Sequence, residues 1–430
     1  MTILPQDYLR TLSSIRDRCY QVYEKAQQGK LCYFDIDETK IDKIVDHIED
    51  LTHRRFSDVS KIPPHSRLRH LGETYEEWRS KQEPGIELAR KMVDLVIVSV
   101  LVDAGAGQQW KYTKKDGKQI GRSEGLAIAS VDMFLKGYFA GDDATDHVDA
   151  NGLSRVTVER MTKGFQVSDS NPMVGLEGRS QLLNKLATVI QDQPTYFPVT
   201  NGIVRPGNLI DYLLDDNNKE NAKTIPIEKL WKAVMSLGGI WPARIEIEGV
   251  QLGDVWPCTC LGDASPDNLV PFHKLSQWLT YSLIEVIESC LDMTVEGVEQ
   301  MTGLPEYRNG GLLVDHGLLT LKPEVAKRGG AGADGALPSF EGSDPAIVEW
   351  RALTVVYLDK VHKAMEIRFG QKLKLAQVLE SGSWTAGREI AAKLRPDTAG
   401  PPIVIQVNII LLYPQIKRHI FFIGLIYVYN

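Results

Sequence analysis

Apolar residues return every three or four positions at Leu9, Leu12, Ile15, Cys19 and Val22, and again at Ile41, Ile44, Val45, Ile48 and Leu51. That is the period of helices with one buried face. A polar stretch broken by prolines, 53–70, separates them from 85–107, which reads as a strongly apolar, buried helix stopped by the glycines that follow Asp103. Asp94 and Ser99 interrupt that run, so it is too short and too mixed to span a bilayer. Residues 109–122 set Asp116-Gly117 between two short alternating stretches and predict a hairpin. Helix returns over 122–139, an Asp- and Gly-rich loop follows over 140–160, and helices are expected at 176–190 and 226–241. Alternation over 243–257 predicts a second β-hairpin. A long helix over 272–291 places Leu275, Trp278, Leu279, Leu283, Val286, Ile287 and Cys290 on one face, and another spans roughly 346–367. The Gly-rich segment 327–344 has no strand before it and reads as a surface loop, not a phosphate-binding P-loop. No repeats are visible. The expected fold is mainly α with small β-hairpins, and no α/β alternation supports a Rossmann sheet.

A length of 430 residues would accommodate two or three domains. Forty-three per cent apolar and 24% charged residues exclude a disordered chain, a collagen and a disulfide framework. The net charge of −7, with no dense Lys/Arg run, argues against nucleic acid as a partner. A small anion remains compatible, because one pocket needs only a few local cations. Five cysteines, at 19, 32, 258, 260 and 290, fit a reducing compartment; Cys258 and Cys260 have no second pair to complete a zinc knuckle. The first residues carry no apolar core followed by a cleavage site, so the cytoplasm is the expected location, with no membrane partner. No metal and no cofactor are expected: no histidine–carboxylate cluster is evident, and Asp315-His316 alone is weak.

Several residues invite chemistry. Asp103 ends an apolar helix, so burial should raise its pKa unless Arg122 or Lys111 pairs with it. It is either a pocket carboxylate or half of a structural ion pair. Arg122, Ser123 and Glu124 precede Gly125, Ala127 and Ala129, small residues that permit close approach of a ligand or of a neighbouring helix. Glu124 is a second candidate acid. The 53–70 segment, with Arg54, Arg55, Lys61, Arg67, Arg69, His53, His65 and His70 against Asp58, either covers a phosphate or is a solvated basic loop. Trp110, Trp256 and Trp384 could each stack on a planar group or sit in the core, and at most one is expected at a site.

Ten blocks in order carry a resemblance: PPHSRLRHL (63–71), VDAGAGQQWKY (102–112), GRSEGLAIASVDMF (121–134), NPMVGLEGR (171–179), VRPGNLIDYL (204–213), LGDVWP (252–257), PFHKLSQWLTYSL (271–283), TGLPEYRNGGLLVD (302–315), EWRALTV (349–355) and SWTAGREIAAKLRP (383–396). Together they resemble the uracil-catabolism family that includes Urc-four and Urg-three. The resemblance implies a place in uracil degradation through ribosylurea and a single unit over 1–405, with an N-terminal helical part (1–100) and a pocket-forming core (101–405). The tail 406–430 departs from it. Pro414 and Lys417-Arg418-His419 split that tail into two apolar runs, each short of a membrane span. It is expected to be an unspliced or mispredicted exon end, and Phe421, Phe422, Ile423, Leu425 and Ile426 would make it prone to aggregate.

The segments FHKLSQWLTYSL and TGLPEYRNGGLLVDHGLL are also similar, more distantly, to the Lys-x-x-Gln helix and Asp-Tyr-Arg segment of the queuosine-phosphate glycohydrolases. That likeness implies a helix-hairpin-helix glycosylase-like helical fold and cleavage of a ribosyl C–N bond. Lys274, Gln277, Tyr307 and Arg308 match, and Glu306 stands where that family has Asp. Breaking such a bond builds an oxocarbenium-like sugar, which one buried carboxylate can stabilise while it orients or deprotonates water. The expected catalytic set is therefore Glu306, Asp103 and Lys274. Gln277, Tyr307, Arg308, Arg122, Glu124 and His273 are expected to bind substrate, with Lys274 and Arg308 taking anionic groups. The bland alternatives are a helix N-terminal carboxylate for Glu306, a solvated first-turn lysine for Lys274 and a loop-anchoring salt bridge for Arg308. The expected activity is an N-ribosyl hydrolase acting on ribosylurea or its 5′-phosphate, a small ribosyl or nucleotide-like substrate. An amidohydrolase of a ureido intermediate and a non-catalytic nucleotide-binding partner are the alternatives.

Overall fold

The computed structural model describes residues 3–103, 105–107, 109–142, 145–215, 223–241, 245–332 and 335–406. Residues 407–430, nearly all of the apolar tail, and residues 243–244 of the second expected hairpin lie outside the described residues.

The periodic segments are helices at Leu12–Gln27, Ile41–Arg55, Ile86–Leu101, Arg122–Leu135, Leu176–Asp192, Ile227–Ser236, Lys274–Leu291 and Pro345–Phe369. Their starts carry the expected chemistry: the Thr11 hydroxyl accepts from Ser14 N, and Asp344 accepts from Ala346 N just before Pro345. The helix Ile86–Leu101 is buried nearly all round and stops two residues before Asp103. Asp94, fully buried within it, accepts from Arg205 Nε (2.8 Å), Gly207 N (2.6 Å) and Val148 N (3.1 Å). The charge that interrupts the apolar run thus ties the core helix to two distant loops. A Cβ at Gly207 would lie 2.4 Å from the Arg90 carbonyl oxygen, which is why the chain can pass so close there.

Sheets among the described residues are all two-stranded. The hairpin predicted over 109–122 pairs Lys111–Thr113 with Gln119–Gly121. Segment 243–257 does not form one hairpin. Glu246–Ile247 pairs with Val250–Gln251 around left-handed Glu248 and Gly249, but Gly253 (φ 74°) turns the chain and Val255–Pro257 pairs with Leu269–Pro271 instead. The 140–160 segment is also not all loop. Asp149 and Thr157 accept from Gly152 N and Arg160 N and so start the short helices Ala150–Ser154 and Val158–Gly164. The remaining sheets join segments far apart in sequence: Phe34–Ile36 with Leu319–Leu321, Thr224–Pro226 with Thr294–Glu296, and Ser339–Glu341 with Val404–Gln406. The fold is mainly α with small β pairs.

Two large apolar clusters form the core. One gathers around Ile86–Leu101, Arg122–Leu135 and Lys274–Leu291; the other gathers around Ile41–Arg55 and Pro345–Phe369. The helix Leu12–Gln27 serves both, giving Leu12 and Ile15 to the first and Cys19 and Val22 to the second. The helices Tyr307–Asp315 and Trp384–Leu394 lie on the second cluster, and a cavity opens where they face Leu275, Trp278 and Leu304 of the first. No helix of the described residues is long and apolar enough to cross a membrane.

Candidate active site

The cavity has a volume of about 110 Å³, room for roughly eight waters at about 10–15 Å³ each. Seven of the nine expected site residues line it: Asp103, Arg122, Glu124, Lys274, Glu306, Tyr307 and Arg308. His65, His70, Ser123, Trp278, Trp384 and Arg388 also reach it.

Glu306 is the N-cap of the helix Tyr307–Asp315. Its two carboxylate oxygens accept from Arg308 N (2.8 Å) and Asn309 N (2.6 Å). The bland alternative is therefore part of the answer, since the residue is a capping carboxylate and also a wall of the cavity. Burial pushes its carboxyl above the usual range, outweighing those N–H groups and the nearby Lys274 charge, which pull it down. Burial likewise pushes the Lys274 amine below its usual range against the pull of Glu306 and Asp103. Its Nζ makes no hydrogen bond or ion pair among the described residues. The two groups line the same cavity without being locked together. Lys274 is aimed there by Asp254, which accepts from Lys274 N (3.0 Å) and from both Arg351 Nη atoms (2.9 and 2.8 Å). Burial would raise Asp254, but Arg351 overrides it and holds the group ionised.

Gln277 and His273, expected to bind substrate, do not line the cavity. Gln277 is fully buried, and its amide exchanges hydrogen bonds with Thr302, donating to Oγ1 (2.9 Å) and accepting from N (2.9 Å). The Lys-x-x-Gln spacing puts Lys274 at the cavity and Gln277 a turn later, where it fixes the segment that leads to Glu306. His273 takes the left-handed conformation before the helix (φ 44°), its Nε2 lies 2.8 Å from the Leu9 carbonyl oxygen, and burial lowers its pKa. Both are positioning residues.

Asp103 does not pair with Arg122 or Lys111. Its partner is Arg67, fully buried, whose Nη1 donates to Asp103 Oδ2 (2.7 Å) and whose Nε donates to Ser99 Oγ (2.8 Å). Ser123 donates to the same Oδ2 (2.8 Å), while Asp103 Oδ1 is buried with no partner. Burial raises Asp103, with Arg67 the largest opposing influence. The 53–70 segment is therefore not a solvated loop throughout. Its other cations are taken up too: Arg55 donates to the Glu380 carbonyl oxygen, Arg54 pairs with Glu389, and Arg69 pairs with Glu285.

On the remaining wall, Arg388 donates to Glu124 (2.9 Å) and lies over the Trp384 ring. Burial would raise Glu124, but its own backbone N–H, Arg388 and His70 together hold it below the usual range. Arg308 donates through Nη1 to the Ala399 carbonyl oxygen (2.9 Å) and lies over the Tyr307 ring, while its buried Nε has no partner. Burial raises Tyr307. Arg122 is exposed at the mouth in the left-handed region (φ 55°), without a side-chain partner among the described residues. Asp103 is offset by Arg67, Glu124 by Arg388 and Glu306 by Lys274, so Arg122 and Arg308 leave an excess of positive charge.

Of the three tryptophans singled out, Trp384 lines the cavity. Trp110 and Trp256 are core, their indole N–H groups donating to Phe165 O and Asp254 Oδ1. Trp278, which helical periodicity had assigned to the core face, is the second aromatic wall. Histidine and carboxylates do converge in one place among the described residues, at Asp142, His147 and Asp149. None of these three lines the cavity, and Asp149 already accepts from Gly141 N, Gly152 N and the His147 ring as a helix cap.

A family described as "Protein of unknown function (DUF1688)" matches residues 8–410. The chain belongs to that family. Among its relatives, Uracil catabolism protein 4 of Lachancea kluyveri is 40% identical over 429 residues, covering 93% of this chain and 97% of that protein. Protein urg3 of Schizosaccharomyces pombe is 39% identical over 414 residues, covering 93% of this chain and 96% of that protein. Family membership extends over both apolar clusters and every wall of the cavity.

Proposed function

We propose that the chain is an N-ribosyl hydrolase of uracil degradation, cleaving ribosylurea or its 5′-phosphate to urea and ribose or ribose phosphate. The observation that carries this reading is Glu306, a carboxylate enclosed at the cavity beside the unpaired Lys274. The relative named for uracil catabolism supports the pathway. Loss of the ureido group leaves positive charge on the ribose C1′ and ring oxygen, and a carboxylate fixed by two backbone N–H groups stabilises it. The same carboxylate, raised by burial, takes a proton from the water that adds to C1′. Asp103 presents its free Oδ1 to the ribose hydroxyls. Lys274, Arg308 and Arg122 supply the cations that a 5′-phosphate would need. Trp278 and Trp384 flank the ligand.

Purified protein incubated with ribosylurea, and separately with its 5′-phosphate, tests this by urea release. A silent nucleotide-binding partner would use the same cavity without needing the Glu306 charge. Glu306→Gln that folds and binds ligand but releases no urea supports the hydrolase; full retention of pathway flux by that variant supports the binding role.

A further inference from the structure

Cleaving a C–N bond to a ureido group sends the bonding electron pair to a nitrogen that is a poor anion, so the nitrogen must be protonated as it leaves. Glu306 is on the side of the reaction that takes a proton from water, and a separate group must give one. Resting on the hydrolase reading, we infer that His65, held by Glu380, is the acid that protonates the leaving nitrogen. His65 is 5% exposed yet lines the cavity. Its Nδ1 lies 2.8 Å from Glu380 Oε2, and its Nε2 has no partner among the described residues. Because Glu380 is an ionised acceptor, Nδ1 carries hydrogen, and Nε2 is the nitrogen left to exchange a proton with a ligand.

Both partners are fixed on either side of this bond. His65 N donates to Ala376 O (2.9 Å), Ser66 Oγ is bonded to Glu285, and Gln377 Nε2 donates to Ile62 O (2.9 Å). Glu380 sits in a π-helical turn, Leu379–Ser383, an irregularity that re-aims side chains and costs helix regularity. Arg55 donates to its carbonyl oxygen (2.6 Å). Burial would raise Glu380, but His65, His70 and Arg55 together hold it below the usual carboxylate range.

The charged and titratable groups around His65 are Glu380, bonded to it, with Arg55 on Glu380; His70 and Arg67 of its own segment; Glu124, Lys274 and Arg388, which line the same cavity; and Glu285, bonded to the adjacent Ser66. Burial, with Arg67 and His65 adding to it, lowers the neighbouring His70 to about 4. In the step itself, the C1′–N bond breaks with its electron pair going to nitrogen, and His65 Nε2 gives that nitrogen its proton. Water forms the new C1′–O bond and gives a proton to Glu306. Solvent then returns a proton to His65 and removes one from Glu306, so the net change is addition of one water. His65 and Glu306 both line the cavity, and their hydrogen bonds are to other groups, Glu380 for the one and the Arg308 and Asn309 N–H groups for the other.

The test compares wild type, H65N and E380Q on ribosylurea and its 5′-phosphate over a pH series, with circular dichroism as the control for folding. The inference predicts that H65N loses about 10²- to 10⁴-fold in kcat at unchanged KM. It also predicts that E380Q, by removing the counter-charge of the imidazolium, moves the alkaline limb of kcat/KM to lower pH. If H65N does not fold, the E380Q limb decides. Active wild type with H65N within threefold, or an unmoved limb in E380Q, overturns the role of His65 and leaves the hydrolase standing. Wild type that releases no urea from either substrate overturns both.

Discussion

Glu306→Gln separates a capping role from a chemical one, because the two predict losses of different kind and size. Gln keeps the length and one carbonyl oxygen but cannot accept from both Arg308 N and Asn309 N as the carboxylate does. Losing one cap bond costs about 1 kcal/mol. With an unfolding entropy of about 2.1 cal/mol/K per residue, a chain of 430 residues has about 0.9 kcal/mol/K at its midpoint, so Tm should fall by only ~1–2 °C. A drop that small leaves the folded population at assay temperature essentially unchanged. The chemical role predicts a loss of about 10²- to 10⁴-fold in kcat, since both stabilisation of the sugar cation and acceptance of the water proton need the charge. Urea release under saturating substrate and a thermal melt on the same preparation read the two effects separately. A lowered Tm with kcat within threefold of wild type would refute the reasoning and leave Glu306 as a cap alone.

Other substitutions probe the supports of the site. In Lys274→Met, Glu306 loses a charge that pulls it down. A base must be deprotonated to act, so the acid limb of kcat/KM should move to higher pH, and a shift to lower pH would contradict the coupling. Asp94→Ala leaves Arg205 with only the half-exposed Glu87 and should cost about 3–5 kcal/mol, read as a Tm lowered by several degrees with a proportionate loss of denaturation midpoint. At Gly387 a Cβ would lie 2.2 Å from the Arg308 carbonyl oxygen, so Gly387→Ala must push the Trp384–Leu394 helix off the Glu306-capped helix. It should destabilise by about 1–3 kcal/mol and lower activity more than unfolding explains, as Trp384, Arg388 and Arg308 all move.

The helices were legible because one buried face repeats at helical spacing, and the core helix before Asp103 because it is apolar nearly all round. Short strands such as Phe34–Ile36 and Leu319–Leu321 were not, since three residues carry no period and their partners lie hundreds of positions away. The same distance hid much of the site. Arg67, His65 and His70 stand in a segment whose local composition is that of a solvated basic loop; Arg67 is drawn inward by Ser99 and Asp103 and His65 by Glu380, partners that no local pattern connects to them. Trp278 satisfies the periodicity of a core residue and lines the cavity as well. Gln277 was picked out with Lys274 by one spacing, but helix geometry turns it away from the cavity to hold Thr302. Capping roles for Asp149 and Thr157 were available in their residue types and were obscured by the Asp- and Gly-rich composition around them.

The most direct measurement is urea release by the purified full chain from ribosylurea and from its 5′-phosphate, quantified by coupled urease and compared with Glu306→Gln. The account predicts stoichiometric urea and ribose or ribose phosphate from at least one substrate, abolished in the variant. Folded wild-type protein that releases urea from neither would contradict it.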